Sequence, residues 1–398
     1  MELDRIHDQE FPLKAGRLPL KTPTEILTVV GTRPEAIKLA PVILKLKSHG
    51  EKFNCRVCYT GQHREMVAQV MQIFDIQPDF DLNIMLPGQT LAQITARAVE
   101  GLDGLIASIN PDLVLVQGDT TSAFCGALTA YYHKVKVGHV EAGLRTNNKY
   151  APYPEEINRR LLGTLTDFHF APTANARQAL LREGVAEENI FVTGNTVIDA
   201  LLFVRDKIKQ TPPELPAGLC QLLGDKRLVV VTGHRRENFG EGMEHMCTAI
   251  RKTADAFDDV IFVYPVHLNP NVREPVGRIL SNHPRIILIE PLSYEPFVWL
   301  LDRATIVLTD SGGVQEEAPS LGKPVLVMRD VTERPEGVQA GNARLVGTNQ
   351  DRIIHALTEL LEDPSARQAM SAPLNPYGDG HAAERIAGIL EKAFMQTN

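Results

Sequence analysis

The most constraining feature of this chain is a repeated local pattern: a short apolar-rich run, a small polar loop, then a segment with helical spacing. Residues 26–30 (ILTVV) end in Gly31-Thr32-Arg33-Pro34, and residues 53–60 end in Gly61-Gln62-His63. Residues 113–117 (LVLVQ) end in Gly118-Asp119-Thr120, and residues 135–140 end in Glu141-Ala142-Gly143. Runs this short and this apolar read as strands buried on both faces, and their alternation with helices predicts a doubly wound parallel sheet. Pro34 suits a first helical turn, where its missing N–H costs nothing, so a helix is expected over 35–48. A second helix should end near Phe74. A third is expected over 90–110, where Leu91, Ile94, Ala98, Leu102 and Leu105 fall near helical spacing.

The pattern restarts in the second half. Residues 228–232 (LVVVT) end in Gly233-His234-Arg235, a helix is expected over 242–257, and 260–264, 286–289, 305–308 and 325–328 read as further strands. Each half therefore begins with strand, Gly-x-Arg loop and helix, which predicts two similar domains in tandem. We expect a tail over 1–23, a first domain over 24–192 and a second over 193–380. The Pro-bearing stretch 210–224 reads as loop. Residues 382–394 read as a terminal helix whose apolar stripe (Ile386, Ile389, Leu390, Phe394) must dock on the fold.

Composition narrows the classes. The 398 residues carry 41 basic and 49 acidic side chains, a net charge of −8, which argues against a nucleic-acid partner. No apolar run approaches the ~18 residues of a membrane span, and the first 23 residues lack a signal-peptide core. The five cysteines predict reduced thiols and a cytoplasmic setting. Cys55 and Cys58 are three apart on an expected strand and point to opposite faces, so they cannot easily share a metal. Neither the G-x-G-x-x-G dinucleotide fingerprint nor a P-loop occurs, so no cofactor and no metal is expected.

In a doubly wound sheet the residues after the strands line the binding crevice. Here they include Arg33, Asp119, Glu141 and Arg145 in the first half, and His234, Arg235, Ser311, Gly312 and Gly313 in the second. Ser311-Gly312-Gly313 before an expected helix suits a phosphate, with Glu317 able to accept both hydroxyls of a ribose; a plain capped helix start fits the same residues. Arg33 and Lys38 at a helix N-terminus oppose the helix dipole, a placement that an anionic ligand would relieve. Asp119 suits either chemistry or helix N-capping. Glu141 follows a strand and has no capping role. Glu155 precedes Arg159 and suits either chemistry or a solvated helix start. Asp119, Glu141 and Glu155 together suit general acid–base catalysis, with His234 as a further titratable group.

These residues lie in motifs that resemble the bacterial non-hydrolysing UDP-N-acetylglucosamine 2-epimerases. The motifs are GTRPEAIK (31–38), QGDTT (117–121), HVEAGLRT (139–146), PEEINRR (154–160), TGNTVIDA (193–200), TGHRREN (232–238), YPVHLNPNV (264–272), LTDSGGVQEEAPSLGKPVLVMRD (308–330), TERPEGV (332–338) and NPYGDG (375–380). The resemblance implies two Rossmann-like domains facing a cleft, as in B-type glycosyltransferases, with the terminal helix 381–398 joined to the first. It implies interconversion of UDP-GlcNAc and UDP-ManNAc by a cytoplasmic homodimer that supplies cell-surface polysaccharide. By position it implies catalytic roles for Asp119, Glu141, Glu155, Arg159 and His234. Around the UDP-sugar it implies Arg33, Lys38, Asp119, Glu141, His234, Phe297, Ser311, Gly312, Gly313, Glu317 and Arg334. A second, activating UDP-GlcNAc would meet Gln62, His63 and Arg64; the loop 86–89 (Leu-Pro-Gly-Gln) lacks the basic residue that helps hold it in relatives.

Overall fold

The computed structural model describes residues 23–372 and 375–395, so the expected tail lies, apart from Pro23, outside the described residues. The described residues form two units, one of residues 23–200 with 380–395 and the other of residues 201–372 with 375–379. The division after Ala200 falls inside the helix Thr196–Gln210.

The first unit is built on β1 (Thr24–Val30), β2 (Phe53–Tyr59), β3 (Phe80–Asp81), β4 (Leu113–Gln117), β5 (Lys136–Val140), β6 (Phe168–Ala171) and β7 (Ile190–Val192). They form one seven-stranded sheet in the order β3-β2-β1-β4-β5-β6-β7, and every pairing is parallel. Alternate residues Leu27, Val29, Val114 and Val116 pack on Ile94, Ala98 and Leu102, which line one face of the helix Leu91–Ile109. The terminal helix Ala382–Met395 packs on the helix Arg33–Ser48. Its first turn is held by Asp199, whose carboxylate accepts the N–H groups of Ala382 and Ala383 at 3.2 and 2.8 Å.

The second unit repeats the plan with β8 (Arg227–Thr232), β9 (Val260–Pro265), β10 (Ile286–Ile289), β11 (Ile306–Thr309), β12 (Val325–Val327) and β13 (Ala343–Leu345). Its six parallel strands run in the order β10-β9-β8-β11-β12-β13. Alternation again sorts the faces. Val229, Val231, Phe262 and Tyr264 pack with Met246 and Ile250, while Leu228, Val230, Ile261 and Val263 pack with Leu300 and Leu301. Both units are therefore doubly wound α/β sheets, as the strand–loop–helix pattern predicts.

Four strands escaped the sequence reading, and each carries a weak apolar signal. Phe80–Asp81 has two residues at the sheet edge, Ala343–Leu345 holds an arginine, Ile190–Val192 has three residues, and Phe168–Ala171 is interrupted by the buried His169. The stretch 210–224, read as loop, contains the five-residue helix Leu219–Leu223, too short to show a period. Cys55 and Cys58 are both buried, free thiols.

The strand order places the loops. In each sheet the winding reverses between two neighbouring strands, β1 and β4 in the first unit and β8 and β11 in the second, and ligands of such sheets bind outside the carboxyl ends at that reversal.

Candidate active site

In the first unit the two loops at the reversal are locked together. A Cβ on Gly31 would sit 2.2 Å from Ser122 Oγ, so only glycine lets the chain leave β1 against the helix Thr121–Tyr132. Glu35, in the first turn of the helix Arg33–Ser48, accepts the N–H groups of Gly31 (3.1 Å) and Thr32 (2.6 Å) and the hydroxyl of Thr120 (2.7 Å). One buried carboxylate thus ties the loop after β1 to the loop after β4. Burial pushes its pKa up to about 7, outweighing these hydrogen bonds.

Asp119 is free of capping duty. Thr120 is the N-cap, its hydroxyl accepting Ala123 N–H at 3.1 Å. Asp119 instead pairs with Arg159, whose Nε and Nη2 lie 2.8 and 2.6 Å from its Oδ2. The helix Glu155–Leu165 supplies that arginine and also Asn158, whose amide donates to the Asp119 carbonyl at 2.9 Å.

Glu141 stands just past β5 with φ of 66°, a left-handed conformation uncommon outside glycine and costly for an ordinary residue. Four contacts hold it there. Lys38 Nζ lies 2.6 and 2.7 Å from its two oxygens, Gln117 Nε2 donates at 2.5 Å and Asn195 Nδ2 at 3.1 Å. Lys38, expected beside a diphosphate, is committed here to a carboxylate. Between the two acids, buried His139 donates from Nε2 to the Gly118 carbonyl at 2.7 Å; burial pushes its pKa down to about 4, so the ring is neutral.

Glu155 and Glu156 have separate tasks. Glu155 keeps a buried Oε2 without a hydrogen-bond partner. Glu156 is fully buried and accepts the N–H groups of Thr146 and Asn147 at 2.9 and 3.1 Å; these outweigh burial and lower its pKa. Arg145, expected in the crevice after the strands, forms a bidentate pair with Glu183 at 2.9 and 2.7 Å. Arg33 is exposed. Gln62 accepts the Ser122 hydroxyl at 2.8 Å, His63 N–H bonds the Gly31 carbonyl at 2.9 Å, and Arg64 pairs with Asp81 at 2.8 Å. The 62–64 segment therefore adjoins the loop after β1.

In the second unit, Ser311 is the N-cap residue of the helix Gly312–Ser320. The atoms nearest to a Cβ on Gly312 would be the guanidinium ends of Arg235 and Arg334, at 3.7–3.8 Å, and one on Gly313 would meet nothing within 4 Å. The fold itself has room for side chains at both positions. The glycines leave the backbone N–H groups of a helix start open, with two guanidinium groups beside them, which suits a phosphate. Arg334 is braced from behind. It pairs with buried Glu316, and the Tyr377 hydroxyl donates to its carbonyl at 2.9 Å. Asn375 donates to the Glu316 carbonyl at 2.9 Å, so the NPYGDG stretch acts as a strut for this arginine.

His234 and Arg235 follow β8, and their N–H groups both donate to Asp310 Oδ2 at 2.8 Å. The His234 ring stacks on His267 with centroids 5.3 Å apart. Glu317 is buried and accepts the Tyr294 hydroxyl at 2.9 Å, and Phe297 packs beside Leu300 and Leu301. Sequence reading missed Glu35, Gln117, Asn195, Asn158, Asp310 and Glu316. The Thr32-x-x-Glu35 spacing of a capping box could have signalled Glu35; nothing local marks Asn195. Among the described residues, no group of three or more His, Cys, Asp or Glu is placed to hold a metal ion.

Residues 45–391 match the family described as UDP-N-acetylglucosamine 2-epimerase. A UDP-N-acetylglucosamine 2-epimerase of Escherichia coli K12 is 56% identical over 370 residues, covering 92% of this chain and 98% of that protein. The crystal structure of a UDP-GlcNAc 2-epimerase from Neisseria meningitidis bound to UDP-GlcNAc aligns with TM-score 0.83 and 48% identity over 93% of this chain and 100% of that one. A glycotransferase of kitacinnamycin aligns over 94% of this chain and 99% of its own with TM-score 0.62 at 15% identity, a likeness of fold alone. The chain belongs to the UDP-N-acetylglucosamine 2-epimerase family.

Proposed function

We propose that this enzyme interconverts UDP-GlcNAc and UDP-ManNAc by eliminating UDP and adding it back. Membership of the family and the relatives' names support the 2-epimerase activity. The route follows from the chemistry of C2. Its proton is poorly acidic because no carbonyl is attached, so direct removal would leave an unstabilised carbanion. Breaking the C1–O bond as the C2 proton leaves gives 2-acetamidoglucal and UDP instead. A proton then returns to the other face of C2 as the diphosphate oxygen attacks C1.

The observation that carries this reading is the trio of carboxylates in the first unit, two of them ion-paired and one not. Asp119 is ion-paired with Arg159, Glu141 is ion-paired with Lys38, and Glu155 keeps an unpartnered buried oxygen. A base and an acid acting on opposite faces of one carbon need such differing environments. Departing diphosphate needs positive charge; Arg33 is the first unit's candidate for it, and His234, Arg334 and the N–H groups after Ser311 are the second unit's. Glu317 then accepts the ribose hydroxyls and Phe297 lies beside the uracil. Gln62, His63 and Arg64 are the candidates for a second nucleotide sugar. We place the enzyme in the cytoplasm as a homodimer that supplies ManNAc units for surface polysaccharide; among the described residues, no helix is long and apolar enough to cross a membrane.

Incubation with UDP-GlcNAc alone in heavy water tests the reading. UDP-ManNAc carrying deuterium at C2 is the expected product. Retention of the C2 proton would sink the elimination route. Free ManNAc with UDP would identify a hydrolysing enzyme, and turnover only with an added acceptor a glycosyltransferase.

A further inference from the structure

Asp310 follows β11 and is fully buried. Its two oxygens face different groups. Oδ2 accepts the N–H groups of His234 and Arg235 at 2.8 Å each and the Asn238 amide at 3.1 Å. Oδ1 is buried, has no hydrogen-bond partner among the described residues, and stands 3.6 Å from Nδ1 of His234. Tying the loop after β8 to the end of β11 uses Oδ2 alone. A buried carboxylate oxygen left without a donor is costly, so the orientation of Oδ1 towards an imidazole nitrogen needs a reason.

The charged and titratable groups facing His234 are Asp310, His267 and Arg235. Burial, His267 and Arg235 all disfavour the imidazolium; Asp310 alone among them favours it. The separation of 3.6 Å is too long for a hydrogen bond and short enough for an ion pair once the ring is charged.

We infer that Asp310 is a positioning residue for the epimerisation: it orients the His234 ring through Nδ1 and supplies the countercharge that the imidazolium needs while negative charge gathers on a departing diphosphate. This rests on the reading that His234 meets the diphosphate. Asp310 itself touches no substrate; it acts through His234. Asn238 and the backbone of residues 234–235 fix the carboxylate, so the ring is aimed by the fold before any ligand arrives.

The first test needs no variant. With a carboxylate facing it, Nδ1 must be the nitrogen that keeps its proton when the ring is neutral. Imidazole 15N spectra of the full-length enzyme, with His234 assigned by comparison with His234→Gln, should show a protonated Nδ1 on both sides of the titration. A neutral ring protonated only at Nε2 overturns the inference. The second test is Asp310→Asn, which keeps an acceptor oxygen for the two backbone N–H groups and removes the charge. The His234 titration should move to lower pH by about one pH unit. The turnover number should fall about tenfold or more, while KM changes by less than about threefold. In a His234→Gln background the same substitution should change kcat little, because the residue through which it acts is gone. An unmoved titration, or an equal loss of kcat in both backgrounds, would reduce Asp310 to a loop tie. The spectra do not depend on turnover, so failure of the wild type to epimerise UDP-GlcNAc would end the functional reading and leave the Asp310–His234 pairing to be decided separately.

Discussion

Lys38 Nζ lies 2.6 Å from one oxygen of Glu141 and 2.7 Å from the other, and both side chains are largely withdrawn from solvent. The pair explains how Glu141 tolerates its left-handed backbone and its burial together: a countercharge and two amides, Gln117 and Asn195, hold the carboxylate in one orientation. Lys38→Met would leave that charge partly compensated. We expect a stability loss of about 3 kcal/mol, the usual cost of breaking a buried pair. Turnover should drop roughly a hundredfold, with UDP affinity moved much less. Adding Glu141→Gln should restore part of the stability and none of the turnover. Calorimetry, UDP titration and kcat measured on the wild type and the two variants check this. A large loss of UDP affinity with kcat preserved would return Lys38 to the diphosphate.

The sequence makes the loops legible and leaves their partners hidden. Short apolar runs are visible because parallel strands are buried on both faces, and the residue after each run is then a candidate by position. Asp119 could be read as cap or as chemistry until Thr120 proved to be the cap. Glu155 and Glu156 look alike in the chain, yet one caps the Thr146–Asn147 backbone and the other keeps an unpartnered oxygen. Lys38, Asn195 and Glu141 are far apart in sequence and meet only through the strand order, which local patterns do not encode. Arg145 shows the converse, since nearness in sequence to Glu141 did not prevent its pairing with Glu183.

Glu35 carries a pH dependence of stability. Its pKa rises from an ordinary 4.5 to about 7 on burial. Below pH 4.5 the carboxyl is neutral in both folded and unfolded chains. Between pH 4.5 and 7 the unfolded chain gives up its proton first, so the folded state loses relative stability as pH rises. Above pH 7 the loss is complete, at about 3 kcal/mol. Denaturant titrations of wild type and Glu35→Gln across this range isolate the effect. The stability of the wild type relative to the variant should fall by that amount from pH 4.5 to 7 and then level off. A difference that stays constant with pH would show that burial leaves the Glu35 pKa where it is in the unfolded chain.

Tyr377 links the terminal stretch to the proposed phosphate arginine. Its hydroxyl accepts Gly337 N–H at 2.9 Å and donates to the Arg334 carbonyl at 2.9 Å. Tyr377→Phe leaves a buried N–H and a carbonyl short of partners, a cost of about 1–3 kcal/mol. The loop bearing Arg334 should loosen, and UDP should bind roughly tenfold more weakly, with fewer steps of the proton chemistry affected. Isothermal titration with UDP and solvent deuterium wash-in on the same variant separate the two effects. Weakened wash-in with normal UDP affinity would break the link.

Gly312 gives the sharpest separation of folding from binding. The nearest neighbours of a methyl group there would be the ends of Arg235 and Arg334, at ordinary contact distances of 3.7–3.8 Å, and the residue needs no left-handed backbone. Alanine is also a better helix former than glycine, by about 1 kcal/mol in a helix interior. Gly312→Ala should therefore fold as well as the wild type or better. If the open helix start is where the diphosphate rests, the same methyl stands in the way of a phosphate oxygen approaching the backbone N–H groups. UDP affinity should fall about tenfold, equivalent to about 1.4 kcal/mol. Measured on one preparation, the melting temperature should hold or rise while the UDP dissociation constant rises about tenfold. An alanine variant that binds UDP as tightly as the wild type would remove the helix start from the nucleotide site.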